Sequence, residues 1–120
     1  MKNIMIVEDD KDMQEIYRNI FKDEKKYEIS LIDDATMALR TLKDKTFDLI
    51  ILDIIMEPMM GDSFFLFIKG DEKTRHIPII VVSVLSPDTL KQLQKVDNVM
   101  ILQKPITKAQ LLKEVNKILV

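Results

Sequence analysis

The chain contains no cysteine and a single histidine, His76. Disulfides, thiol nucleophiles and cysteine-ligated metals are therefore excluded, and a histidine-rich metal centre cannot be assembled. Only two glycines are present, Gly61 and Gly70. Neither a P-loop nor a G-x-G-x-x-G dinucleotide turn can be written with them. No excess of basic charge exists either: the net charge is −2 and the pI about 5.4, so no direct binding to nucleic acid is expected. The first apolar run, Ile4 to Val7, stops at Glu8-Asp9-Asp10. That is too short for a signal peptide or a membrane span, so no membrane insertion is expected and the cytoplasm is the expected compartment.

What is present reads as one globular domain over residues 1–120. Hydrophobic residues make up 47% and charged residues 32% of the chain, which is enough apolar material for a real core. Short apolar runs alternate with helix-period segments. Strands are predicted at Ile4–Val7, Tyr27–Ile32, Asp48–Leu52, Ile79–Val82 and Val99–Leu102. Between them, Met13, Ile16, Tyr17, Ile20 and Phe21 fall at helical spacing, as do Ala35, Ala38, Leu39 and Leu42. Phe64, Phe65, Phe67 and Ile68 suggest a third helix that ends near Gly70. Ser86-Pro87 opens a fourth, weakly anchored helix that carries Leu90, Leu93 and Val96. A fifth follows Thr107, which makes a capping box with Gln110, and buries Leu111, Leu112, Val115, Ile118 and Leu119. Asp10 or Asp12, and Asp34, are the expected caps of the first two helices. The eight methionines read as core filler, apart from Met56, Met59 and Met60 in the loop after the third strand.

Five strands alternating with five helices imply an α/β fold of the flavodoxin-like (βα)5 type: a parallel sheet of order 2-1-3-4-5 covered on both faces. Ligands in such sheets bind beyond the carboxyl ends of the strands. At that rim the sequence sets Glu8, Asp9 and Asp10 after strand 1, Asp53 after strand 3, Ser83 after strand 4 and Lys104 after strand 5. Asp10 reads first as a cap, Asp33-Asp34 as mostly capping and His76 as a surface loop residue. Clustered carboxylates repel, and a hard divalent ion with oxygen-only ligands, Mg²⁺ or Mn²⁺, relieves this. A phosphoryl group arriving there would meet the metal, the Lys104 ammonium and the Ser83 hydroxyl, with Asp53 left as the nucleophile.

The pieces IMIVEDD, LIILDIIMEPMMGD, IPIIVVS and KPI, in this order, resemble the receiver domains of two-component response regulators over essentially the whole chain. The resemblance implies that Asp53 becomes an aspartyl phosphate, with a histidine kinase, a histidine phosphotransfer protein or a small acyl phosphate as donor. It implies Mg²⁺ held by Asp9, Asp53 and the backbone carbonyl of Ile55, with Glu8 acting through water. Lys104 would pair with the phosphoryl oxygens and Ser83 would turn in to hydrogen-bond one of them. An output partner or fused effector domain would use the face made by the fourth helix, fifth strand and fifth helix. Such a chain is a signalling switch and not an enzyme that turns over an external substrate.

Three positions depart from the family pattern. Glu57 stands where proline is usual, with Pro58 after it; Val84 replaces a small residue and is expected to crowd the site; Ile101 replaces an aromatic one. They sustain an alternative reading, a degenerate receiver that docks proteins without phosphorylation. A flavin protein of the same sheet order is disfavoured because Glu8-Asp9-Asp10 would repel the flavin phosphate. A phosphatase of the haloacid dehalogenase type would want an acid where Ile55 stands.

Overall fold

In the computed structural model, residues 1–53, 61–86, 88 and 90–120 are described. Ile55, Glu57, Pro58, Met56, Met59, Met60 and Pro87 lie outside them. The sheet strands are β1 (Lys2–Val7), β2 (Tyr27–Ile32), β3 (Leu49–Leu52), β4 (Ile79–Ser83) and β5 (Val99–Gln103). The helices are α1 (Lys11–Phe21), α2 (Ala35–Asp44), α3 (Gly61–Gly70), α4 (Lys91–Gln94) and α5 (Lys108–Leu119). All strand pairs are parallel and the order is β2-β1-β3-β4-β5. This is the expected flavodoxin-like topology.

Two apolar layers follow from the two-residue repeat of the strands. Met5, Val7, Ile50, Leu52, Ile79 and Val81 turn to one face, where α2 and α3 bring Ala35, Ala38, Phe64, Phe65 and Ile68. Ile4, Ile6, Leu49, Ile51, Ile80 and Val82 turn to the other, against Tyr17, Ile20 and Phe21 of α1 and Leu111 and Val115 of α5. The three inner strands are thus buried on both sides, which is why they read as continuous apolar runs.

Local chemistry sets the helix starts. The Asp10 carboxylate accepts from the Met13 N–H at 2.9 Å and that of Asp34 from the Met37 N–H at 2.7 Å. Thr107 and Gln110 form the reciprocal capping box before α5. β1 begins two residues earlier than its apolar run, because backbone pairing of Lys2 with Tyr27 and Asn3 with Glu28 needs no buried side chain.

Several expectations are corrected. α4 is one turn, flanked by Leu90 with no side-chain cap; ahead of it the Ser86 carbonyl accepts from the Leu90 N–H at 3.2 Å, and Pro87 of the expected start lies outside the described residues. Leu90, Leu93 and Val96 offer one narrow seam, too little packing to hold a longer helix. Phe67 does not join the buried stripe of α3. The inner face is set by Phe64, Phe65 and Ile68, and Phe67 lies beyond its edge, 57% exposed. Ile16 is likewise exposed, while Gln14 is buried in line with Tyr17. Asp48 precedes β3, its carboxylate accepting from the Asn3 N–H at 2.8 Å. Among the described methionines only Met5 is core; Met1 and Met37 are exposed and Met13 and Met100 half-buried.

Shortening the central strand's side chain should therefore cost more than removing a cap. Ile51→Ala is expected to lower the unfolding free energy by about 2–5 kcal/mol, and Asp34→Ala by about 1 kcal/mol. Urea titration followed by circular dichroism measures both. A loss at Ile51 no larger than that at the cap would contradict a core centred on β3.

Candidate functional site

Parallel pairing brings the carboxyl ends of β1, β3, β4 and β5 to one rim, and backbone bonds fix the residues that follow. The Asp53 N–H donates to the Val7 carbonyl at 3.2 Å, seating this acid directly beside Glu8. Ser83 pairs with Gln103 across the β4–β5 ladder, and the Lys104 N–H donates to the Ser83 carbonyl at 2.7 Å. The Lys104–Pro105 peptide that follows is cis.

Three carboxylates converge there: one oxygen each from Glu8, Asp9 and Asp53 lie within 4.8 Å of one another. Glu8 and Asp53 are buried and Asp9 is exposed. The Lys104 ammonium bridges the two buried acids, 3.2 Å from Glu8 Oε1 and 3.1 Å from Asp53 Oδ2. Glu8 also accepts from the Asp10 N–H at 3.3 Å. Ser83 is fully buried, and its Oγ accepts from the Leu85 N–H at 3.2 Å.

The electrostatics follow from burial. Glu8 is pushed up from 4.5 to about 7, first by loss of water and then by the Asp53 charge, against the pull of Lys104. Burial alone would lower the Lys104 ammonium, but Glu8 and Asp53 outweigh it and hold it above the usual lysine value. Tyr17, buried in α1, has its phenol pushed up by burial and then by the same two carboxylates.

The structure thus brings Glu8, Asp9, Asp53 and Lys104 together, with Ser83 at the end of the neighbouring strand. Asp10 is a cap, Asp33 is exposed 4.0 Å from Lys11, and His76 is exposed. The Ile55 carbonyl, Glu57 and Pro58 fall outside the described residues. Val84, next to the buried Ser83, is 62% exposed. Ile101 packs, half-buried, against the same apolar layer as Leu90 and Leu93.

One residue was not anticipated from the sequence. Gln14 is buried, and its Nε2 donates to the Glu8 carbonyl at 2.7 Å, tying the acidic turn to the first turn of α1. Its only sequence signal is a polar residue between Met13 and Tyr17 whose burial follows once Tyr17, three residues on, faces inward.

Comparison with known proteins gives a consistent result. A family model described as the response regulator receiver domain matches residues 4–116. The chemotaxis protein CheY of Pseudomonas aeruginosa is 31% identical over 80 residues, 67% of this chain and 64% of that protein. A histidine kinase of Formosa agariphila is 35% identical over 80 residues, again 67% of this chain but 6% of the kinase. The match therefore spans less than two thirds of either relative. Among solved structures, the receiver domain of a sensor histidine kinase from Pseudomonas aeruginosa, with a magnesium ion coordinated in its active-site cleft, superposes with a TM-score of 0.83. That domain is 26% identical, with 98% of this chain and 96% of the other covered.

The raised Glu8 pKa sets a pH dependence for the protein kept metal-free with EDTA. Below pH about 4.5 Glu8 is neutral both folded and unfolded, and its contribution to stability is fully present. As pH rises towards about 7 the unfolded chain alone ionises, so this contribution is lost across that window. The thermal midpoint of wild type, compared with Glu8→Gln at each pH, should fall over this interval. Parallel pH profiles for the two proteins would contradict a buried, proton-retaining Glu8.

Proposed function

The chain belongs to the response regulator receiver domain family, and on that premise we propose that it is a phosphorylation-controlled switch whose phosphoryl acceptor is Asp53. The observation that carries this reading is the Lys104 ammonium between Glu8 and Asp53 at the sheet rim. Residues 1–120 act in this reading as one receiver domain of a two-component system, working in the cytoplasm. Among the described residues no helix is long and apolar enough to cross a membrane.

The donor set suits Mg²⁺, with Mn²⁺ as a substitute. Among the described residues it is made of carboxylate oxygens, the acids lie close enough to share one ion, and two of them are buried against each other's charge. The magnesium-bound receiver domain from Pseudomonas aeruginosa supports the same assignment. Asp9 and Asp53 would be direct ligands with the Ile55 carbonyl, and Glu8 would act through water. When bound, the ion offsets the charge of the carboxylates and of the transferred phosphoryl oxygens.

The remaining chemistry belongs to the side chains. An Asp53 carboxylate oxygen attacks phosphorus in line, the bond from phosphorus to the donor atom breaks, and the donor leaves with the bonding electron pair. A phosphohistidine on a kinase or phosphotransfer protein, or a small acyl phosphate, is a suitable donor. Lys104 exchanges its contact with Asp53 for one with a phosphoryl oxygen. Ser83 gives up its bond from the Leu85 N–H and donates its hydroxyl proton to another oxygen. Because Leu85 leads towards α4, that exchange favours one arrangement of the β4–α4 segment over another. The output is the α4–β5–α5 face, read by a partner protein or a fused effector domain. Ile101 sits half-buried in that path with Leu90 and Leu93, so coupling there runs through aliphatic packing. Turnover of an external substrate forms no part of this function.

Intact-mass measurement after incubation with Mg²⁺ and acetyl phosphate tests the reading. Wild type should gain one phosphoryl group, and Asp53→Asn and an EDTA-treated sample should gain none. Failure to gain it from acetyl phosphate or any phosphohistidine donor, with no binding of beryllofluoride, would leave the phosphorylation-independent docking module as the function.

A further inference from the structure

Asp9 differs from the two acids beside it. Glu8 and Asp53 are buried, whereas Asp9 is exposed on the turn between β1 and α1. A ligand on an exposed turn loses conformational entropy when it coordinates, unless its backbone is already fixed. Here the backbone is fixed on both sides. The Glu8 N–H donates to the Ile32 carbonyl at 2.9 Å, and the Glu8 carbonyl accepts from Gln14 Nε2 at 2.7 Å. A peptide unit is planar, so the bond from Gln14 orients the whole Glu8–Asp9 peptide, including the Asp9 nitrogen. The next peptide, Asp9–Asp10, is held by its own N–H, which donates to Glu8 Oε2 at 3.3 Å. With both planes set, the two backbone rotations at Asp9 have little range left.

These two ties are not equal. The bond from the Asp10 N–H is the longer, is only part-buried, and ends on a carboxylate that also accepts from Lys104. The bond from Gln14 is short and buried. Water cannot readily replace a buried donor, so its loss leaves the Glu8 carbonyl without compensation. Gln14 is also well anchored. Its backbone N–H donates to the Asp10 carbonyl at 3.0 Å, and α1 buries it in line with Tyr17. Main chain and side chain of one residue thus grip both ends of the acidic turn. On the reading that Asp9 and Asp53 hold Mg²⁺, we propose that Gln14 is a positioning residue for the metal. It acts through the Glu8 carbonyl, and by orienting the Glu8–Asp9 peptide it keeps the Asp9 carboxylate set for coordination.

Mn²⁺ binding to the full chain tests this. Electron paramagnetic resonance counts the free ion and gives the dissociation constant, while water proton relaxation reports how much water the bound ion keeps. Gln14→Met has nearly the same length but no donor, and it should weaken Mn²⁺ binding about tenfold. The ion bound to it should keep more water than in wild type, because solvent takes the place of a carboxylate that is no longer held. Gln14→Asn retains the amide but is one methylene too short, so it should share both effects and serves if the methionine variant does not fold. Melting in EDTA establishes which variants are folded. Binding as tight as in wild type by a folded variant overturns the role of Gln14 and leaves the metal site standing. Weaker binding with unchanged hydration of the ion also overturns it, since Gln14 would then support the fold and not the ligand. A wild type that takes up no Mn²⁺ overturns the metal reading itself, and this inference with it.

Discussion

One ammonium group holds together what the fold would otherwise push apart. Parallel pairing forces the ends of β1 and β3 side by side, and each ends on a carboxylate sheltered from water. Two such charges at one buried rim are mutually repulsive, and desolvation raises the cost of each. Lys104, arriving from the far edge of the sheet, lies within 3.2 Å of both. Removing one member of a buried charged cluster is costly because the remaining charges lose their compensation. The three groups therefore stand or fall together, and the loops that carry them must keep their positions.

The rest of the architecture serves that placement. The inner strands are clamped between two apolar layers, so their carboxyl ends have little freedom to slide. A register slip of one residue would turn every inner side chain to the opposite layer. Gln14 adds a local tie by holding the Glu8 carbonyl from inside α1. Rigidity at β1 and β3 contrasts with the sparse packing of α4, a single turn without a side-chain cap. A rigid acidic rim next to a weakly held element is the arrangement a switch needs, since a local change in charge can then redistribute the population of a nearby segment.

Much of this was legible in the sequence, for identifiable reasons. Continuous apolar runs give away strands buried on both faces, and the βα alternation gives the sheet order. The acids after β1 and β3 and the lysine after β5 could be read as neighbours because a parallel sheet gathers the residues that follow its strands. Asp34 and Thr107 were legible as caps, since capping depends on residues within one turn. Composition misleads where an apolar residue has two destinations. Phe67 and Ile16 look like core by type, but the helix phase set by their neighbours turns them outward. Gln14 went unread for the converse reason: a polar side chain enters the interior when a backbone carbonyl waits for it, and that partner is visible only in three dimensions. The length of α4 was overestimated because Ser86-Pro87 is a good start signal whatever packing follows it.

The sequence separation within the rim has a further consequence. Glu8, Asp53 and Lys104 are 45 and 51 residues apart along the chain and meet only through completed strand pairing. No fragment ending before β5 possesses the cation, and no unfolded copy possesses the cluster. Long-range assembly of this kind forms late, after the loop-closure entropy of the intervening segments has been overcome. A nascent, truncated or misfolded molecule therefore carries the same aspartate without the lysine and the second acid beside it.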